Sequence, residues 1–361
     1  MSESVSDTQA TKPRAPTWVW ILAAVAVIVL AAAVGGAIVA VRRRGPHATA
    51  VGCVATTVAK EGLPSVVTIH VTARNASGSG SGEVIRSDGY ILTNNHVISA
   101  AANGGSITIL FNNGESENAH LIGRDVPTDL AVVKVDEHPS LRPIPWGNSS
   151  GLVVGQPVVA LGAPLGLSST VTAGIVSALD RSVNVPADNG RTALIVSAIQ
   201  TDAAINPGNS GGALVDCSGK LVGVPTAGAA VPNPQGGASA GNVGIGFAIP
   251  SDFAHTISDM LIANGSVTHA AFGIRAVPIS SAQSGTSGGL YVVATSPGGP
   301  AASAGLEEGD IITKLDDQRA SSVDQLQALT LTRRPGDQVQ ITYKRGGAEH
   351  TTTVTLGSQS Q

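Results

Sequence analysis

Aromatic side chains are scarce: 4 Phe, 3 Tyr and 3 Trp make up 3% of a chain of 361 residues. A core without them must be built from Val, Ile and Leu, and the many short apolar runs beside 44 Gly favour an all-β architecture over long helices. Cysteine is rarer still. Cys53 and Cys217 are the only two, and without a C-x-x-C, an H-E-x-x-H or clustered histidines no metal site is expected. The pair is left with two readings, a disulfide or two buried thiols, and a disulfide requires the body to lie outside the cytoplasm. Charged residues are 13% of the chain, the net charge is -4, and the one basic run is Arg42-Arg43-Arg44, so there is no electrostatic footprint for nucleic acid. The glycine-rich stretch Ser77–Gly82 lacks the G-x-x-x-x-G-K pattern and is expected as a loop that opens a strand, which excludes a phosphate cradle. No cofactor is expected.

One long apolar run is present. Trp18 to Val41 carries no charge and is long enough to cross a hydrocarbon core of ~30 Å as a helix, whereas a secretory signal has an apolar region of ~7 to 15 residues. The expectation is a tail over 1–17, a retained transmembrane helix over 18–41 and a short linker over 42–60. Lys12 and Arg14 precede the span and the arginine triplet follows it, which by itself leans toward a cytoplasmic carboxyl side. Ala50-Val-Gly-Cys53 lies too far from the run to act as a lipoprotein box.

The remaining length suits a pair of barrels plus one small module. Ile199 to Val215 contains Gly208-Asn-Ser210-Gly-Gly212, where glycines permit a sharp turn and Ser210 is placed to project its hydroxyl. The bland alternative is a tight glycine loop with a capping serine. The same residues satisfy G-x-S-x-G, but that elbow needs a strand before the serine and a helix after it. Here polar residues and Pro207 precede Ser210, and the runs Ala213–Val215 and Leu221–Val224 around a turn follow it as a hairpin. Strand after serine points to a double β-barrel, with its partners earlier in the chain in the order His, Asp, Ser. His96, after the apolar strand from Tyr90, is the candidate base. Asp129, immediately before Leu-Ala-Val-Val, is the candidate partner carboxylate, with Asp125 and Asp136 weaker. The amides of Gly208 and Ser210 are the candidate oxyanion hole.

Gly89-Tyr-Ile-Leu-Thr-Asn-Asn-His-Val97, Thr128-Asp-Leu-Ala-Val-Val133, Gly162-Ala-Pro-Leu-Gly-Leu167, Ile199 to Val215 and Val243-Gly-Ile-Gly-Phe-Ala-Ile-Pro250 together resemble the HtrA (DegP-like) family of trypsin-fold proteases. The resemblance implies a chymotrypsin-like double barrel over 61–265 with a triad of His96, Asp129 and Ser210, and a body facing the extracytoplasmic space. It also implies homotrimers and the degradation of unfolded or misfolded proteins. The rival is a chaperone or peptide-binding protein that uses the scaffold without turnover.

Two departures fall in loops that shape specificity. Pro225-Thr-Ala227 replaces the usual Asn-Thr-Ala run and removes an amide donor, and Ala163 and Leu165 replace Asn and Phe. Ala204 occupies the position that trypsin-like pockets fill with an acid, and Ile245 and Phe247 are expected to wall an apolar pocket. The segments Asp180–Thr192 and Ala227–Asn242 are expected as long mobile loops. Pro250-Ser251 is expected to cap a helix that stops at Asn264-Gly265. Residues 266–357 resemble a PDZ domain, with Phe272, Gly273 and Ile274 as the loop that would hold a peptide's terminal carboxylate; a non-binding docking module is the alternative.

Overall fold

Short aliphatic runs bounded by glycine turns become the strands of two closed barrels. The structure is a computed structural model and describes residues 53–74, 76–102, 104–136, 141–163, 169–228, 243–280 and 288–360. The run 18–41 with its basic flanks, Leu165 and all but the start of the 227–242 segment lie outside the described residues. Among the described residues no helix is long and apolar enough to cross a membrane.

The first barrel contains β1 (Val66–Ala73), β2 (Ala76–Val84), β3 (Tyr90–Thr93), β4 (Ser106–Leu110), β5 (Ser116–Asp125) and β6 (Leu130–Lys134), closed in the order β1-β2-β3-β6-β5-β4. Val67, Ile69, Ile91, Ile109 and Val133 fill it. The serine–glycine stretch expected as a loop is instead most of β2, with Ser77 paired to Thr72 and Gly82 to Val67. Glycine serves packing there. A Cβ on Gly80 would sit 2.6 Å from Val97, and one on Gly82 would sit 2.8 Å from both Ile69 and Ile91.

The second barrel contains β7 (Pro157–Gly162), β8 (Thr170–Pro186), β9 (Thr192–Thr201), β10 (Ala213–Val215), β11 (Leu221–Gly228) and β12 (Gly246–Pro250), closed in the order β10-β11-β12-β9-β8-β7. The segment Asp180–Thr192, expected as a mobile loop, is a hairpin instead. β8 and β9 stay paired up to Pro186 and Thr192, which leaves only a short turn at the tip. Between the barrels, Leu92, Leu130 and Val132 meet Leu161, Ala213, Val215 and Ile249 in one buried cluster. Burying each such side chain contributes about 1.5–3 kcal/mol, so this seam is rigid enough to carry a site.

Part of the expected linker is also structured. Helix α1 (Ala55–Gly62) buries Val58 in the interbarrel cluster, and Cys53 is bonded to Cys217 in the turn between β10 and β11. A later helix (Ser251–Asn264) ends as expected on Gly265 in a left-handed conformation, φ 73°. Its start differs from expectation: no side chain at its own N-terminus caps it. The Asp252 amide donates instead to Ser149 Oγ at 3.1 Å, and the Ser150 amide donates to the Asp252 carboxylate at 2.9 Å.

The carboxyl-terminal module pairs β13 (Thr268–Ala271) with β20 (Gly357–Ser360). Its sheet runs β14 (Ile274–Ile279), β15 (Gly289–Thr295), β16 (Ile311–Leu315), β18 (Gln338–Arg345) and β19 (Ala348–Thr355), with β17 (Gln318–Arg319) on β16. The helix Val323–Thr332 carries a capping box formed by Ser322 and Gln325. The module has its own core around Phe272, Leu290, Ile312 and Val354. It touches the second barrel through Leu331 against Leu194 and Val196, and the first through His269, whose Nε2 lies 2.9 Å from both oxygens of Asp125.

Candidate active site

β3 ends at Thr93, and the chain turns into one helical turn, α2 (Asn95–Ile98), which presents His96 at the barrel seam. A 3-10 turn over Val126–Thr128 delivers Asp129 opposite it with φ 56°, a conformation an aspartate tolerates when neighbours hold it. Asn94 Nδ2 and the Asn95 amide both donate to the Asp129 carbonyl, at 2.9 and 3.1 Å. The carboxylate is fully buried. Its Oδ2 lies 2.8 Å and its Oδ1 3.0 Å from His96 Nδ1, and Oδ1 also accepts the His96 amide at 3.0 Å. Placing the ring proton on Nδ1 leaves Nε2 as an acceptor. Burial alone would lower the imidazole pKa, but the hydrogen bond to Asp129 and the charges of Asp129 and Asp188 outweigh it and hold the pKa above its ordinary value.

Ser210 follows a type II turn: the Asn209 amide donates to the Asn206 carbonyl at 2.9 Å, with Pro207 second and Gly208 third at φ 98°. Ser81 anchors this turn from the first barrel. Its hydroxyl donates to the Gly208 carbonyl at 2.6 Å and accepts the Ala163 amide at 2.8 Å, while its own amide donates to the Ser210 carbonyl at 2.9 Å. With the Gly208 carbonyl held away by Ser81, the amides of Gly208 and Ser210 have no partner among the described residues. Gly211, at φ 79°, donates its amide to the Pro225 carbonyl at 2.9 Å.

The Ser210 hydroxyl donates to the Thr226 carbonyl at 3.2 Å and makes no bond to His96. The Thr226 hydroxyl in turn donates to Asp129 Oδ2 at 2.5 Å. His96, Asp129, Thr226 and Ser210 thus form one string across the seam, containing a proton acceptor, a hydroxyl and two free amide donors. Thr226, Ser81 and Asn94 escaped the sequence reading. Thr226 lies inside the Pro225–Ala227 departure, where the strand bulges against β12 and no local pattern marks which way the threonine faces. Ser81 and Asn94 act through pairing between distant segments, which leaves no local pattern.

Other candidates separate. Asp125 is buried against His269 and accepts the Thr128 hydroxyl at 2.5 Å, and Asp136 is exposed. The Ala204 carbonyl accepts Thr172 Oγ1 at 3.0 Å and Asn209 Nδ2 at 3.2 Å. Phe247 packs on the interbarrel cluster, whereas Ile245 is 37% exposed. In the second module Phe272 is buried, and Gly273 has φ 65°. The carbonyls of Phe272 and Gly273 accept the Ala301 and Ser296 amides, and their own amides have no partner among the described residues. These residues open a groove of about 920 Å³ between the free edge of β14 and Val323, Leu326, Gln327 and Thr330. Among the described residues no group of His, Cys, Asp and Glu is placed to hold a metal ion.

The sequence signature of the trypsin-like peptidase domain matches residues 80–224, and that of the PDZ domain matches residues 270–356. The serine protease PepD of Mycobacterium tuberculosis is 41% identical over 311 residues, covering 84% of this chain and 66% of PepD, so the chain spans just under two thirds of that relative. The serine protease Do-like HtrA of Lactococcus lactis subsp. lactis is 39% identical over 299 residues, covering 79% and 72%. A probable periplasmic serine protease do/HhoA-like of Haemophilus influenzae is 40% identical over 293 residues, covering 78% and 59%. Among solved structures, the HtrA-type protease AlgW with decapeptide superposes with a TM-score of 0.67 at 31% identity, covering 84% of this chain and 98% of that one. The chain belongs to the HtrA family of serine proteases, with a trypsin-like peptidase domain followed by a PDZ domain.

Proposed function

We propose that this protein is a membrane-anchored endopeptidase that degrades unfolded or misfolded proteins outside the cytoplasm, with Ser210 as nucleophile, His96 as general base and Asp129 orienting the imidazole. The observation that carries the reading is the string His96–Asp129–Thr226–Ser210 beside the amides of Gly208 and Ser210, which have no partner among the described residues. For reaction, the Ser210 hydroxyl leaves the Thr226 carbonyl and turns to His96 Nε2, which takes its proton as Oγ attacks the scissile carbonyl. The two amides then receive the oxyanion, each such donor being worth roughly 3 to 4 kcal/mol of barrier. His96 returns the proton to the leaving amine, and water releases the acyl group by the same steps.

Ala204, Ile245 and Phe247 offer no charge to a basic side chain, so the expected cuts follow Val, Ala, Ile or Leu. The free edge of β14 and the amides of Phe272 and Gly273 suit an added peptide strand with a terminal carboxylate, which marks exposed chain ends and activates the protease. Activation is limited by the peptide's preference for the active state, typically about 1 to 3 kcal/mol. The anchor rests on the run 18–41, the homotrimer on family resemblance, and the extracytoplasmic body on relatives named as periplasmic.

The test is the full chain, purified in detergent, acting on an unfolded protein, with the products sequenced by mass spectrometry. Turnover in the wild type, its loss in Ser210→Ala with peptide binding retained, and aliphatic cut sites support the reading. Turnover that survives Ser210→Ala overturns Ser210 as nucleophile, turnover absent from both favours the chaperone alternative, and cuts after Arg or Lys overturn the pocket. A carboxyl-terminal peptide should raise the rate where its amidated form does not.

A further inference from the structure

The tip of the β8–β9 hairpin brings a carboxylate of the second barrel to the histidine turn of the first. Asp188 opens the 3-10 turn at this tip, and its side chain is 12% exposed. It forms an ion pair with Arg124 of β5 and accepts Asn95 Nδ2 on Oδ1 at 3.3 Å. Arg124 Nη1 closes the ring by donating to Asn95 Oδ1 at 3.2 Å. Asn95 therefore has both ends of its amide occupied, and its backbone amide donates to the Asp129 carbonyl. It is also the residue immediately before His96.

We propose that Asp188 is a positioning residue for His96: it latches the turn that carries the imidazole and adds a second carboxylate to the field in which the imidazolium forms. The inference rests on the reading of His96 as the base. Two features favour it over an ordinary surface ion pair. The three side chains come from three segments and converge on Asn95, which is itself buried, so the hairpin tip bears on the site and not on solvent. In addition, the Asp188 charge acts on the imidazole in the same sense as that of Asp129. The charges to be considered are therefore Asp129, bonded to the ring, Asp188 across the seam, and Arg124, whose cation opposes Asp188. Asp125, at the end of β5, is engaged by His269 and Thr128.

This arrangement makes two variants act in opposite directions. Asp188→Asn leaves Arg124 unopposed and disfavours the imidazolium, whereas Arg124→Gln leaves Asp188 unopposed and favours it. The measurement is kcat/KM of the full chain in detergent on a peptide substrate from pH 5 to 9, which reports titration of the free enzyme. In Asp188→Asn the ratio of kcat/KM at pH 5.5 to that at pH 8 should rise about two- to fivefold over wild type, and in Arg124→Gln it should fall by a similar factor, as expected for one partly screened charge. A purely structural latch would lower the rate equally at every pH. Profiles that coincide with wild type after scaling, or that shift in the same direction in both variants, overturn the proposal. If Asp188→Asn does not fold, the Arg124→Gln profile alone decides by its direction. A wild-type profile with no acid limb would instead overturn the assignment of His96 as base, so the two failures are distinguishable.

Discussion

Thr226 donates its hydroxyl to Asp129 Oδ2 at 2.5 Å, across 97 residues of sequence and across the seam between the barrels. The buried carboxylate thereby receives a hydrogen bond from the strand that also holds the Ser210 hydroxyl through the Thr226 carbonyl. The β11 strand thus holds both the Asp129 carboxylate and the Ser210 hydroxyl.

Removing only the hydroxyl tests that link. Thr226→Val keeps the shape and leaves the backbone acceptor for Ser210 in place. Hydrogen bonds to charged groups contribute about 1.5–3 kcal/mol, so kcat should fall about 10- to 100-fold with KM little changed. Steady-state kinetics with a circular dichroism control decides it; an unchanged kcat would mean that Asp129 is held well enough without this bond.

The pH dependence follows from His96. Burial acts to lower its pKa, but Asp129 and Asp188 outweigh it and the pKa is raised, and in the proposed role of general base His96 works only when neutral. The rate should therefore rise with pH, with a midpoint above the ~6.5 of free imidazole. The stability contribution has the opposite sense. It is fully present below the unfolded-state pKa and is lost as pH rises through the folded one. A midpoint below 6.5 in kcat/KM would contradict the electrostatics described for this site.

Glu83 supplies a stability prediction. On β2 it pairs with Val66 and Leu92, both in the interbarrel cluster, and among the described residues neither carboxyl oxygen has a partner. Burial raises its pKa well above the ordinary value, so the neutral acid is favoured in the fold. Stability from this group is present below the unfolded pKa of about 4.3 and is lost as pH rises toward the folded value. Glu83→Gln should therefore raise the melting temperature at pH 7.5, by an amount equivalent to about 1–3 kcal/mol, and leave it nearly unchanged at pH 4. Equal melting curves at both pH values would show that Glu83 has solvent or a partner.

The bond between Cys53 and Cys217 spans 164 residues and pins the start of α1 to the turn after β10. Reduction should cost about 2–4 kcal/mol and lower the melting temperature, with no further effect of reductant on the double variant Cys53→Ser, Cys217→Ser. A wild-type melting curve indifferent to reductant would show that packing of Val58 and Gly62 alone holds the helix.

Much of this protein was legible in one dimension because the relevant signals are local. The turn glycines around Ser210, the strand that follows it, the aspartate before Leu130 and the capping box at Ser322 each concern residues a few positions apart, where backbone sterics and short hydrogen bonds decide the outcome. The double barrel followed by a PDZ domain could be read from those signals together with the family resemblance. Tertiary structure decided what depends on long-range pairing. Ser77–Gly82 reads as a loop that opens a strand until Val97, Ile69 and Ile91 leave no room for a Cβ, and Asp180–Thr192 reads as a mobile loop until β8 and β9 pair. Ser81, Thr226, Asp188 and Arg124 gained their parts in the site in the same way. Their side-chain hydrogen bonds across the seam join residues 64 to 127 positions apart, and a bond across such a separation exists only once the hydrophobic seam has brought the two barrels together.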